Sequence, residues 1–192
     1  MKPEKREVKP LDDNACMEDV KDGKVEKLAV LFERHHVSLF NFFLRLTGNR
    51  GISEDLVQDV FTRILKYRTT YKGESRFTTW MYQIARNVHV DHLRKSKDEL
   101  SLDDRWEDVP SRDASPPDRV ERGEDIAMMH QALAKLSLRK REVLLLSRFQ
   151  NMKYTEIADL FGWHVGTVKA TVHRAIKDLG KFYFELSGGT AP

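Results

Sequence analysis

The sequence predicts an all-α chain: two small helical domains joined by a flexible acidic linker. Three observations carry this. Apolar residues recur at helical spacing in two blocks, about 25–97 and 126–184. The 192 residues are 40% hydrophobic and 33% charged, and a charged share above the roughly 25% usual for soluble domains favours small domains over one large core. Between the blocks, residues 98–125 lack periodicity and carry Val109-Pro110 and Ser115-Pro116-Pro117-Asp118. Proline has no amide to donate and carboxylates surround it here, so this stretch reads as a linker. Trp106 within it is expected to pack locally on a flanking domain. Residues 1–24, polar and charged, read as a mobile N-terminal extension, and 185–192 as a tail.

In the first block, Leu28, Leu31, Phe32, Leu39, Phe42, Phe43 and Leu46 form one helical face, and Gly48-Asn49-Arg50-Gly51 stops it. Ser53 is the expected N-cap of the next helix, with Glu54 and Asp55 favourably placed in its first turn. Leu56, Val60, Ile64 and Leu65 give its apolar face, with Val57 and Phe61 beside them. A polar loop at Lys72-Gly73-Glu74-Ser75 leads to a third pattern: Phe77, Trp80, Met81, Ile84, Val88, His92 and Leu93. In the second block Leu133, Leu136, Leu138, Val143, Leu144 and Leu145 supply a core face. Lys153-Tyr154-Thr155-Glu156 reads as a helix start with Thr155 as cap. Ile157, Ala158, Leu160 and Phe161 form a short helix ended by Gly162, and Val168, Val172, Ala175, Ile176 and Leu179 mark another. Two helices joined by a short turn with glycine make a helix-turn-helix, whose second helix can enter a DNA major groove. Its outward face would carry Lys169, His173, Arg174 and Lys177.

Charge supports that reading. The net charge is +3 overall, but it runs −2 over residues 1–62, +7 over 63–97, −7 over 98–125 and +6 over 126–181. Two basic folded segments flank an acidic one, the usual footprint of phosphate-backbone binding. The lone Cys16 excludes an internal disulfide framework and any zinc site built from several thiolates. It falls in the extension and reads as an exposed bystander rather than a redox sensor. No run approaches the roughly 18 apolar residues that span a bilayer, and the first residues lead into no signal core, so a soluble cytoplasmic protein is expected.

His89 and His92 have the i, i+3 spacing of a helical metal pair, with His35-His36 elsewhere. Zinc needs three or four convergent ligands, and no His-Glu-x-x-His pattern is present, so no metal or other cofactor is expected. Nor is there a Gly-rich phosphate loop, a Gly-x-Ser-x-Gly elbow or a kinase-like set, and no catalytic residue is assigned.

The residues then carry a resemblance. Asp55-Leu56-Val57-Gln58-Asp59-Val60-Phe61, Phe77-Thr78-Thr79-Trp80-Met81-Tyr82-Gln83-Ile84-Ala85-Arg86-Asn87, Asp91-His92-Leu93-Arg94, Tyr154-Thr155-Glu156-Ile157-Ala158 and Val165-Gly166-Thr167-Val168-Lys169 stand in the order seen in one family. The chain resembles a bacterial RNA polymerase sigma factor of the small extracytoplasmic-function group, in the sigma-70 family. The resemblance implies that 25–97 is sigma region 2 and 126–184 the helix-turn-helix region 4, and that the chain is not itself an enzyme. It implies that the chain directs core polymerase to promoters and helps open them, probing a minus-ten element as melted strand and a minus-thirty-five element as duplex.

Several residue roles follow from the resemblance. Asp55, Gln58, Asp59 and Thr62 share a helical stripe that would dock on the clamp coiled coil of the beta prime subunit, with region 4 meeting the beta flap. Tyr71, Lys72, Gly73, Glu74 and Ser75 would surround an extruded minus-ten base, and Asn87 would hydrogen-bond a base edge. Arg86, Arg94 and Lys95 would hold phosphates. Trp80 matches the family's tryptophan, although its spacing with Phe77 and Ile84 suits a core role. For the minus-thirty-five element, Thr167, Lys169, Ala170, Thr171, His173 and Arg174 would lie along the groove, and Arg148, Lys153 and Lys177 along phosphates. Ala170, Thr171 and His164 depart from the residues common in the family, which leaves the hexamer open. An anti-sigma partner, often membrane-anchored in such systems, is also implied. Two other classes stay in view: a helix-turn-helix regulator that binds duplex DNA alone, and a metal-dependent helical hydrolase using His89 and His92.

Overall fold

The computed structural model describes residues 12–100 and 120–188, with the backbone alone for 97–100 and 120–124. All the regular structure among them is helical: α1 (Asp13–Lys21), α2 (Lys27–Thr47), α3 (Arg50–Lys66), a single 3-10 turn at Arg68–Thr70, α4 (Phe77–Leu100), α5 (Val120–Lys135), α6 (Leu138–Arg148), α7 (Tyr154–Phe161) and α8 (Val165–Leu186). Helices α1–α4 form the first module and α5–α8 the second.

The first module is built as the periodicity predicts. Leu31, Leu39, Phe42, Phe43 and Leu46 of α2 interlock with Leu56, Val60 and Ile64 of α3 and with Phe77, Met81, Ile84 and Val88 of α4, all buried. Leu65 and Leu93, expected on those faces, are exposed. Each lies about 100° or more off its stripe, Leu65 next to Ile64 and Leu93 five residues past Val88, where a helix of 3.6 residues per turn points it outward. Phe32, also expected in the core, is 36% exposed. It lies on the rim of a groove described below.

Two expected caps move. Gly48 ends α2 in the left-handed conformation at φ 69°, and Asn49 caps α3 by accepting a hydrogen bond from the Ile52 amide at 3.0 Å. Ser53 is instead buried inside the helix, donating to the Asn49 carbonyl. An Asn able to reach the third amide needs no help from a serine four residues later. Similarly, Lys153 holds the cap position of α7, and Glu156 reaches back to accept from its amide at 2.8 Å. Thr155 is already helical.

The N-terminal segment departs further from expectation. Residues 13–21 form a helix whose Cys16, Met17 and Val20 are buried against the first module. Their i, i+1, i+4 spacing is a helical stripe, which explains why Cys16 is 1% exposed rather than open to solvent. Asp13 receives Arg34 at 2.7 Å and His35 at 2.8 Å from α2. Asn14 Oδ1 accepts from the Phe77 amide at 2.8 Å and so caps α4 from another helix. At the other boundaries, α4 runs through Leu100 and α5 starts at Val120. The remainder of the expected linker, with Trp106, lies outside the described residues.

In the second module Leu133 of α5, Leu136 just after it, Leu144 of α6 and Ala175 of α8 pack together with Leu179 and Phe182. Gly162 ends α7 at φ 65° and lets the chain turn into α8. A Cβ there would meet nothing within 4 Å, so Gly162→Ala carries only the left-handed backbone cost, about 1–2 kcal/mol. Thermal unfolding should show it as a midpoint lowered by several degrees; an unchanged midpoint would refute the assignment.

The two modules share one apolar core. Val143, Leu145 and Leu146 of α6, Ile157 and Leu160 of α7 and Val168 and Val172 of α8 are continuous with the buried residues of α2, α3 and α4. Arg141 ties the seam: its guanidinium donates to Leu46 O at the end of α2 (2.6 Å) and to Ala134 O (2.5 Å) and Leu136 O (3.2 Å) at the end of α5. Carbonyls in a last helical turn have no partner within the helix, and a cation suits that end of the dipole.

Candidate nucleic-acid and partner interfaces

On α3, Asp55, Gln58, Asp59 and Thr62 are all exposed on one stripe. Arg63, which an i, i+4 argument would pair with Asp59, turns to Asp91 of α4 at 2.7 Å. Asp55 and Asp59 thus have no ion-pair partner among the described residues, and they line a small polar hollow with Asp91, His92 and Lys95. Beside the stripe lies a feature the sequence reading missed, an apolar groove of about 300 Å³ between α2 and α3. Phe32, Val37, Phe40, Val57 and Gln58 are among its lining residues, and Gln58 belongs to both surfaces. The signal was present in Val30, Phe32 and Val37, apolar positions off the buried stripe of α2 and open to solvent.

The loop before α4 encloses an open cavity of about 430 Å³ lined by Tyr71, Lys72, Gly73, Glu74, Ser75, Trp80 and Gln83. Lys72 to Ser75 are exposed as expected. Tyr71 is not: it is 1% exposed, its hydroxyl donates to Ser75 O at 3.3 Å, and its ring meets Trp80 at 5.2 Å between centroids. Burial pushes its phenol up to about 12. Tyr71 is therefore the floor that shapes the loop, not a surface for a base. Trp80 is half-buried against Tyr71 and Phe77, which is the core role its spacing suggested. Gly73 sits at φ 69° with Glu18 of α1 so close that a Cβ would lie 2.7 Å from its carboxylate, so α1 packs directly on this loop. Gln83, absent from the sequence expectation, lies one turn before Asn87 on the same face of α4. Both are exposed, as are Arg94 and Lys95.

Arg86 does not face solvent as a phosphate ligand would. It is half-buried, with its guanidinium 3.8 Å over the Phe161 ring, Nη1 donating to Leu160 O at 3.2 Å and Nε 3.5 Å from Glu142 of α6. Its neighbour His89, 2% exposed, has an Nδ1 without a hydrogen-bond partner. Burial, with His92 and Arg141 nearby, lowers its pKa to about 4. Among the described residues no group of three or more His, Cys, Asp or Glu side chains could hold a metal ion. No described helix is long and apolar enough to cross a membrane.

On the second module α7 and α8 make the helix-turn-helix. Thr167, Lys169, Ala170, His173, Arg174 and Lys177 are exposed along α8, with Arg148 and Lys153 exposed before it. Thr171 is the exception, 7% exposed. It stands three residues after Val168 and four before Ala175, so it belongs to the inner face, and that register was readable from the sequence.

The comparisons with known proteins agree with this architecture. The family models of sigma-70 region 2 and sigma-70 region 4 match residues 31–99 and 126–179. The sigma factor YlaC of Bacillus subtilis is 29% identical over 153 residues, covering 79% of this chain and 88% of that protein. The extracytoplasmic-function sigma factor SigX of the same organism is 28% identical over 161 residues, covering 81% and 83%. Among solved structures, sigma factor RpoE in complex with the anti-sigma factor NepR from Bartonella quintana aligns with a TM-score of 0.65 and 27% identity, over 84% of this chain and 96% of that one. CnrH in complex with the cytosolic domain of CnrY aligns with a TM-score of 0.68 at 23% identity, over 88% and 94%, a likeness of fold. With both diagnostic regions matched in order on two helical modules, the chain belongs to the sigma-70 family of RNA polymerase sigma factors, in its extracytoplasmic-function group.

Proposed function

We propose that this chain is a promoter-specificity subunit that acts in the cytoplasm. It docks on core RNA polymerase through the Asp55, Gln58, Asp59 and Thr62 stripe, with the adjoining apolar groove as the dry half of that contact. An acidic stripe beside an apolar groove suits a basic, partly apolar helical partner, because charge sets register while buried apolar area supplies affinity. The loop of Lys72 to Ser75, with Gln83 and Asn87, receives a base of the melted minus-ten strand, and Arg94 and Lys95 follow its phosphates. The exposed face of α8 reads the minus-thirty-five duplex. Phosphodiester chemistry stays with the core enzyme, and an anti-sigma protein, membrane-anchored or soluble, covers these surfaces when the chain is idle.

The observation that carries the reading is the cavity of about 430 Å³ at the start of α4, lined by Gln83, with Asn87 exposed one helical turn further along the same face. It is roomy enough for one base, and the Gln83 amide, which can donate and accept, stands at its edge. Transcription reconstituted from core polymerase and this chain should start at defined promoters. Asn87→Ala should lower open-complex formation about tenfold, the worth of a base-edge contact of about 1–3 kcal/mol, with little effect on polymerase binding. Equal activity of wild type and variant would remove Asn87 from the site, and initiation no better than core alone would remove the reading.

A further inference from the structure

Helix α1 stands ahead of the stretch that the region 2 model matches, yet it reaches both the start of α4 and the loop before it. Asn14 Oδ1 accepts the Phe77 amide at 2.8 Å. Phe77 is fully buried and opens α4, so its N–H belongs to the first turn, where a helix has no carbonyl of its own to offer. The residue before it, Arg76, carries only donors on its side chain and cannot cap. Asn14 supplies the missing acceptor from another helix.

The loop itself has few ties. Among the described residues no amide from 72 to 76 donates to a backbone carbonyl, and the loop is closed by Tyr71 Oη on Ser75 O at 3.3 Å. Glu18 lies against Gly73 without lining the cavity, so α1 backs the loop from behind. That helix is in turn fixed: Cys16, Met17 and Val20 are buried, and Asp13 holds Arg34 and His35 of α2. A firmly seated helix thus stands behind a loop that lacks support of its own.

We infer that Asn14 is a positioning residue for promoter opening, through which α1 holds the 72–75 loop and the first turn of α4 in base-receiving shape before DNA arrives. This rests on the reading of the loop given above. Drawing a base out of the stack costs unstacking energy, and ordering a slack loop at the same moment would add to that cost. A loop already held adds nothing. Trp80 lines the cavity three residues after Phe77, so loosening that first turn moves a wall of the site.

The test uses the full chain. In the free protein, hydrogen exchange over residues 72–80 should quicken about fivefold in Asn14→Ala, the usual effect of losing one helix cap. Asn14→Asp should rescue it, because a carboxylate keeps the acceptor and suits the positive end of both α1 and α4. With core polymerase, on a promoter found by the transcription assay, permanganate reactivity of unpaired thymines follows opening. Asn14→Ala should slow it about fivefold, while co-elution with polymerase and affinity for closed duplex stay within about twofold. Asn14→Leu, of like shape without an acceptor, is the second variant should Asn14→Ala melt early. Unchanged exchange in Asn14→Ala, or Asn14→Asp no better than Asn14→Ala, would overturn the brace. So would polymerase binding that falls as far as opening, the mark of general loosening. Asn87→Ala separates this proposal from the reading beneath it. Slow opening there with normal opening in Asn14→Ala overturns the positioning role alone. Normal opening in both, or initiation no better than core alone, removes the loop as a base site and its positioning with it.

Discussion

Asp55→Lys combined with Asp59→Lys should reduce promoter-dependent transcription at least about 100-fold while leaving the fold intact. Both carboxylates are exposed on α3 without an ion-pair partner among the described residues, so exchanging them removes no buried contact. Surface changes of this sort alter stability by about 0.5 kcal/mol or less. A docking surface responds differently: like charges brought together across an interface cost several kcal/mol, and about 2.7 kcal/mol is already 100-fold. The loss should appear first as failure of the variant to co-elute with core polymerase. Val57 and Phe40 at the neighbouring groove should still be packed as before, which an unchanged circular-dichroism melt would report. Co-elution and transcription within threefold of wild type would show that the stripe is an ordinary solvated face.

His89 should make the fold acid-sensitive. An unfolded histidine takes up its proton near 6.5, whereas burial holds His89 neutral down to about 4. Stability is therefore complete above pH 6.5 and falls by about 1.4 kcal/mol per pH unit as the solution is acidified toward 4, about 3 kcal/mol in all. Other groups titrate in the same range. Glu142, whose carboxyl is raised by burial, contributes the opposite slope as pH rises, so the effect is read as a difference from His89→Leu, which shares every other group. Denaturant unfolding between pH 7 and 4.5 should show the variant losing about 2–3 kcal/mol less than the wild type. Parallel pH profiles would mean that the ring is protonated or solvated in the folded chain.

Much of the fold was legible because helical faces are local. Leu31, Leu39, Phe42 and Leu46, or Leu56, Val60 and Ile64, declare a buried side through spacing alone, and all are buried. The same arithmetic applied with more care would have placed Thr171 inside and found the Cys16, Met17, Val20 stripe. The exposed residues of α3, the 72–75 loop and α8 were legible for the same reason, since a polar position off the stripe must face out. Tyr71 and Arg86 were not. Tyr71 is buried because a loop folds back so that its hydroxyl reaches Ser75 while Trp80 covers its ring. Arg86 is covered by residues 56 to 75 positions away in the chain.

By itself, then, the sequence determined the helices, their buried sides, the order of the two modules and the family to which they belong. Only the tertiary structure decided that the modules share a core, that α1 braces the loop at residues 72–75, and that Arg86 faces protein. The physical reason is range. A helix repeats every 3.6 residues, so about two turns suffice to show which side is apolar. Which distant surface covers that side, or crosses beyond it onto a polar one, depends on shape and charge matching between segments that no local period connects.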